Sequence, residues 1–65
     1  AGWTPLHWAG HQGHGAVVHV LLENGAAVSS KTNEDATPLH WASSEGHEAV
    51  VQTLLEHGAD VSATD

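Results

Sequence analysis

Two apolar stripes with helical spacing follow one another in the first half of the chain. In the first stripe, Leu6, Ala9 and Gly10 share one face of a helical wheel. The second stripe is broader and has five members: Val17, Val18, Val20, Leu21 and Leu22. A period near 3.6 residues predicts α-helices, which we place at about 5–12 and 16–24.

Helix start and stop signals flank both stripes. Thr4 is a favoured N-cap, because its hydroxyl can accept a hydrogen bond from an unpaired amide of the first turn. Pro5 suits the first helical position, where no amide donor is lost. Gly13 ends the first helix, and Gly25 suits the left-handed conformation that commonly ends a helix. The connection at residues 13–15 is short enough to predict an antiparallel helix pair.

The same pattern returns 33 residues later. The sequence TPLHWA at residues 4–9 recurs at residues 37–42, and 18 of the 32 residue pairs at this separation are identical. A fixed period of this length indicates stacked repeats. The second set of elements is predicted as helices at about 38–45 and 47–57, with polar turn-forming loops at 26–36 and 59–65. We expect repeats at 1–33 and 34–65 within one small all-α domain.

Composition restricts the partners of this domain. Lys31 is the only Lys or Arg and stands against eight carboxylates, so the formal charge is −7 with the seven histidines neutral. Nucleic acids and anionic membranes are recognised through Lys and Arg, so neither is an expected partner. No apolar run approaches the ~18 residues of a membrane span, and no leader is visible. Together with the absence of cysteine, this favours an intracellular location, cytoplasmic or nuclear.

The repeated residues resemble the ankyrin repeat. The pattern T-P-L-H-x-A, followed by G-H and then by V-V-x-x-L-L-x-x-G-A-x-V, occurs twice and covers essentially the whole chain. The resemblance implies helix-turn-helix repeats stacked as a short solenoid with hairpin-like loops. It also implies structural roles, including hydrogen bonds from histidines that lock neighbouring turns, for these residues: Thr4, Pro5, Leu6, His7, His14, Thr37, Pro38, Leu39, His40 and His47.

The resemblance further implies a non-catalytic scaffold that presents first-helix faces and loop tips to a protein partner. Carried over to this sequence, the implied surface comprises Trp3, His11, Gln12, Lys31, Asn33, Glu34, Ala36, Ser44 and Glu45. Trp8 and Trp41 lie on or beside the same face, and tryptophan is a favoured anchor in protein interfaces. The alternative, that these two indoles cover the helices and pack on each other or on the linking loop, stays open.

Metal binding and catalysis find little support in the sequence. His7 and His11 are four residues apart, a spacing that can chelate a metal. The second repeat has no such pair, because Ser44 follows His40 at the same spacing. No nucleophile elbow, phosphate-binding glycine loop or metalloprotease helix motif is present. We therefore expect neither a cofactor, a metal site nor an enzymatic activity.

Asp35 and Gly10 depart from the family pattern. Gly2 matches a loop glycine of the family, but the second repeat has Asp35 there, a residue that tolerates the left-handed conformation better than most. Gly10 stands where the family commonly has alanine, and we expect it to weaken its helix by about 1 kcal/mol.

The repeat number suggests an alternative function. Two repeats are fewer than the three that such arrays generally need, and neither end has an obvious polar cap. The alternative is therefore a truncated fragment of a longer array, or a self-associating chain whose exposed repeat ends drive homo-oligomer assembly.

Overall fold

The structure, a computed structural model, describes residues 2–61. This range contains four helices in two consecutive pairs. The helices are α1 Pro5–Gln12, α2 Gly15–Glu23, α3 Pro38–Ser44 and α4 Glu48–Glu56. Residues 2–61 contain no strand, and they include no helix that could span a membrane. The all-α class and the four helices are confirmed, with ends within one residue of the prediction. The loop expected at 59–65 is described only to Val61; residues 62–65, like Ala1, lie outside the described range.

Local capping determines where the helices begin and end. The Thr4 hydroxyl accepts from the His7 N–H at 3.4 Å, and the Thr37 hydroxyl accepts from the His40 N–H at 3.2 Å. Each bond satisfies a first-turn amide that has no partner inside its helix. Gly13 adopts a φ of +77°, and its N–H reaches back to the last carbonyls of α1.

The apolar sides of all four helices meet in one core. α1 packs against α2 in its own repeat and against α3 of the next, and α2 also packs against α4. The buried members of the core are Leu6, Ala9, Val18, Leu22, Leu39, Ala42, Val50 and Leu54. Because equivalent helices touch across the repeats, the two units form one stack.

The first helices of the two repeats approach closely at Gly10. A Cβ atom at this position would lie only 3.2 Å from the Pro38 carbonyl oxygen. The glycine therefore gives room for α1 to lie against the start of α3, besides its intrinsic cost to helix stability.

Equivalent apolar residues of the two repeats differ in exposure. Val50 is 1% exposed but its equivalent Val17 is 49% exposed, and Leu22 is 9% exposed but its equivalent Leu55 is 38% exposed. Val50 and Leu22 face the other repeat. Val17 and Leu55 are on the outer sides of the stack, where residues 2–61 supply no neighbouring helix. Val20 is also about half exposed, so only part of the α2 stripe is buried.

A tight turn connects the repeats. The Thr32 N–H donates to the Ala36 carbonyl at 2.9 Å, and the Asp35 N–H donates to the Thr32 carbonyl at 2.9 Å. The buried Thr32 hydroxyl also accepts from the Ala36 N–H at 3.3 Å. Asp35 has a φ of +64°, the left-handed conformation expected for this residue. The Glu34 N–H also donates to the Thr32 hydroxyl at 3.3 Å, so four hydrogen bonds around Thr32 hold the hairpin-like loop.

Candidate functional site

All three tryptophans come together on one side of the stack. Trp8 lies on α1, Trp41 lies on α3, and Trp3 precedes α1. Trp3 lies between the other two, with ring centroids 4.5 Å from Trp8 and 4.8 Å from Trp41 and ring planes tilted by 36° in both cases. These separations are within the range of favourable aromatic packing. The two equivalent tryptophans are therefore joined through Trp3, an arrangement that the repeat pattern did not predict.

His11 contacts every member of this tryptophan cluster. Its ring centroid lies 5.9 Å from Trp3, 6.4 Å from Trp8 and 5.7 Å from Trp41, with the rings close to edge-on. The His11 Nε2 atom is 3.7 Å from the Glu45 Oε2 atom. A charge-assisted hydrogen bond to a carboxylate is shorter, about 2.7–2.9 Å. The Glu45 carboxylate therefore lies next to the cluster without a close hydrogen bond to His11.

The indoles differ in exposure although Trp8 and Trp41 are equivalent in the two repeats. Trp8 is 54% exposed, whereas Trp3 and Trp41 are partly buried. The Trp41 Nε1 atom is buried, and no acceptor within residues 2–61 binds it. The His40 ring packs against the Trp41 ring nearly edge-on, with the ring centroids 6.0 Å apart. Trp41 thus contributes mainly to packing, and Trp8 presents the larger indole surface to solvent.

The other residues of the predicted surface are exposed, with one exception. The exposed members are Gln12, Lys31, Asn33, Glu34 and Ser44. A Cβ atom on Gly2 would lie 2.9 Å from Asn33 Oδ1, so the loop tip touches the segment that leads to Trp3. Ala36 is only 5% exposed. The prediction that Ala36 belongs to the exposed surface is wrong, because the tight turn directs its side chain inward.

His7 ties the start of α1 to the loop between the repeats. The Thr4 N–H donates to His7 Nδ1 at 3.0 Å, and because a backbone amide only donates, Nδ1 carries no proton. The proton is therefore on Nε2, which donates to the carbonyls of Ser30 at 2.9 Å and Ala36 at 3.1 Å. The side chain is fully buried, so these bonds replace all of its contacts with water.

His47 ties the second repeat to the first. Its Nε2 atom donates to the His11 carbonyl at 3.0 Å, which satisfies an acceptor near the end of α1. The ring also covers Gly13, where a Cβ atom would lie 2.7 Å from the imidazole. His14, the equivalent of His47, is exposed, although neither side chain caps its own helix. The two histidines differ in exposure because residues 2–61 contain no earlier repeat that His14 could contact.

The histidines do not assemble a metal centre within residues 2–61. Both ring nitrogens of His7 are already bonded, so the spacing between His7 and His11 does not create a chelating pair. His19 and His57 have ring centroids 6.1 Å apart, and His19 Nε2 lies 2.9 Å from Glu23 Oε2. No group of three or more His, Asp or Glu side chains in the described part of the chain is arranged to hold a metal ion.

Comparison with known proteins agrees with the geometry of the stack. The family model described as ankyrin repeats (3 copies) matches residues 1–65. The chain belongs to the ankyrin repeat family. The human protein named ankyrin repeat and SAM domain-containing protein 3 is 52% identical to it over 33 residues, which are 51% of this chain and 5% of that protein. Ankyrin repeats generally act as non-catalytic modules that bind other proteins.

Proposed function

We propose that this ankyrin chain binds a protein partner through the tryptophan cluster and the exposed residues around it. The single observation that carries the proposal is the exposure of Trp8, which is 54% accessible although it belongs to a packed cluster of three indoles. The proposed surface comprises Trp3, Trp8, His11, Gln12, Trp41, Ser44 and Glu45, together with Lys31, Asn33 and Glu34 from the loop. Ala36 is excluded because it is buried.

Preorganisation of the surface supports this function. The indoles already contact one another and His11, so a partner does not need to order them. The adjacent loop is held by the hydrogen bonds of Thr32. Immobilising a flexible side chain on binding costs about 0.5–1.5 kcal/mol, and rigid aromatic side chains avoid much of this cost. Tryptophan is also enriched among the residues that contribute most to interface affinity.

The repeat arrangement explains why one surface forms from distant parts of the sequence. We assign residues 1–33 to the first repeat and 34–65 to the second. The offset of 33 residues brings Trp8 and Trp41 onto equivalent positions of adjacent helices, and Trp3 fills the space between them. The stacking of the repeats therefore creates the binding surface.

Selection of peptides on the full chain tests the proposal. A random peptide library is displayed on phage and selected on the immobilised protein, and each enriched peptide is titrated against wild type, Trp8→Ala and Val20→Ala. Val20 is a matched control, because it is as exposed as Trp8 but lies on α2. We expect peptides that bind Val20→Ala normally and lose about tenfold or more in affinity with Trp8→Ala. An absence of enriched peptides, or peptides that ignore Trp8→Ala, would contradict the proposal.

Assembly with a second copy of the chain is the other candidate function. Val17 and Leu55 are exposed on opposite outer sides of the stack, and the residues equivalent to them are buried where the two repeats meet. A groove of about 460 Å³ lies beside Leu55 and Val51 on one outer side. Contact between the two outer sides of different copies would repeat the internal interface, as a head-to-tail association.

Sedimentation equilibrium over a hundredfold concentration range tests the assembly. We expect a molar mass that rises with concentration for the wild type and for Gln12→Glu, which adds the same charge at an exposed position of α1 outside the groove, and a constant mass for Leu55→Glu. A mass of one chain at every wild-type concentration, or an equal rise for Leu55→Glu, would refute it.

A further inference from the structure

Every aromatic residue other than histidine is in the tryptophan cluster. The sequence has three Trp and no Phe or Tyr, and the helical core is built from aliphatic side chains alone. The indoles are thus not needed to fill the core, and more than half of Trp8 is open to solvent. The face of an indole is negative because of its quadrupole and attracts cations more strongly than other aromatic rings do.

A carboxylate stands at the edge of the same cluster. Glu45 approaches His11 at 3.7 Å, and its side chain is 44% exposed. The Glu45 oxygens are therefore accessible and can accept a shorter hydrogen bond from a ligand. The equivalent residue of the first repeat is Gln12, which has nearly the same shape but no charge. The negative charge is consequently placed at the second-repeat end of the cluster.

The charge of the whole chain favours the same kind of ligand. The formal charge is −7, and Lys31 is the only basic residue besides the histidines. A field of this sign attracts cationic segments and repels acidic ones. An acidic partner would therefore meet repulsion, whereas a basic partner would gain from both the indoles and Glu45.

We infer that the tryptophan cluster is a site for an arginine side chain in a basic segment of a protein partner, with its guanidinium on the exposed indole surface and paired with Glu45. The inference rests on the proposed function and names the chemistry of the partner. Arginine fits better than lysine because its guanidinium is planar, stacks on aromatic rings and can pair with both oxygens of a carboxylate.

A fluorescence titration measures this site directly, because every tryptophan of the chain lies in it. Three short blocked peptides are compared, identical except for one central residue that is arginine, lysine or the uncharged isostere citrulline. We expect saturable changes in tryptophan fluorescence and about tenfold tighter binding of the arginine peptide than of the citrulline peptide. Equal affinities for these two peptides, or no saturation with arginine, would overturn the inference.

A pair of charge-matched variants locates the carboxylate. Glu45→Gln removes the charge and introduces the residue that the first repeat has at the equivalent position, Gln12. Glu56→Gln removes the same charge from an exposed position at the end of α4. We expect about a fivefold loss of arginine-peptide affinity with Glu45→Gln and less than a twofold loss with Glu56→Gln. Equal losses would show that only the overall charge acts and would overturn the assignment of Glu45. Circular dichroism verifies that both variants keep the wild-type fold.

The phage selection separates this inference from the proposed function. Peptides that depend on Trp8 and contain an arginine that citrulline cannot replace support both. Peptides that depend on Trp8 but have no required arginine overturn the inference and leave the proposed function standing. Peptides that bind without Trp8 overturn both.

Discussion

Val50 and Val17 hold the same position in the two repeats, and they allow the stacking of the repeats to be tested with one substitution made twice. Val50 is 1% exposed, and Val17 is 49% exposed. Replacing either valine by alanine removes two carbons from the same site of the same kind of helix. The intrinsic helix propensity therefore changes equally in both variants, and any difference reports the neighbouring repeat.

The expected difference follows from burial. Each buried carbon contributes about 0.8 kcal/mol, so Val50→Ala loses about 1.6 kcal/mol of transfer free energy. The cavity left behind adds about 1 kcal/mol, since packed surroundings relax only in part. At Val17 about half of the transfer term is lost and no cavity forms. Alanine's higher helix propensity returns about 0.6 kcal/mol at both sites, which leaves about 2 kcal/mol for Val50→Ala and close to zero for Val17→Ala.

Urea unfolding monitored by circular dichroism measures both values. A chain of this size is marginally stable, so a fixed concentration of trimethylamine N-oxide is added to give a complete folded baseline. Equal losses of unfolding free energy in the two variants would refute the reasoning, because they would mean that Val50 gains nothing from the first repeat. A loss confined to Val17→Ala would place the interface on the other side.

Two of the three further predictions also compare equivalent positions of the repeats, and the third concerns Asp35 alone. Gly13→Ala should lower the unfolding free energy by about 3 kcal/mol, and Gly46→Ala should lower it by about 1 kcal/mol. Both glycines have a positive φ, but only at Gly13 would a Cβ atom meet the His47 ring. Equal losses in urea unfolding would contradict this prediction. His47→Ala should lower the unfolding free energy by about 1–2 kcal/mol, because it removes the hydrogen bond to the His11 carbonyl, whereas His14→Ala should leave the melting curve unchanged. Amide exchange near the end of α1 should accelerate only in His47→Ala. Asp35→Gly should raise the melting temperature, with a gain of about 0.5 kcal/mol, because glycine adopts the left-handed conformation without strain; a lower melting temperature would count against this.

The helices could be predicted from the sequence because their signals are local. Thr4 and Pro5 specify a helix start within two residues, and Gly13 specifies an end through its backbone conformation. The same signals recur from Thr37 to Gly46, so the second pair follows from the first. Asp35 was likewise predictable, since the position of Gly2 in the repeat already indicated a positive φ.

The partners of individual side chains required the three-dimensional structure. His47 bonds to a carbonyl 36 residues away, and no local pattern specifies that contact. Val17 and Val50 occupy the same position of the shared pattern A-V-V-x-x-L-L but differ in exposure, because burial depends on whether a neighbouring repeat is present.

The tryptophan cluster also depended on structure in part. Trp8 and Trp41 were placed together by their equivalence, but Trp3 lies outside the repeated motif, and the path of the chain before Thr4 brings it between them. Ala36 was misassigned for a similar reason. The turn around Thr32 decides which way each loop side chain points, and a loop composition rich in polar residues does not reveal it.

The most direct test of the proposed binding surface is a nitrogen-15 correlation spectrum of the chain, recorded with and without a peptide from the phage selection. The three tryptophans supply three indole N–H signals, and all three belong to the cluster. We predict that all three signals shift along one saturable curve, while the amides of Val51 and Leu55 in the outer groove remain unchanged. Shifts confined to those groove amides, with unchanged indole signals, would contradict the account.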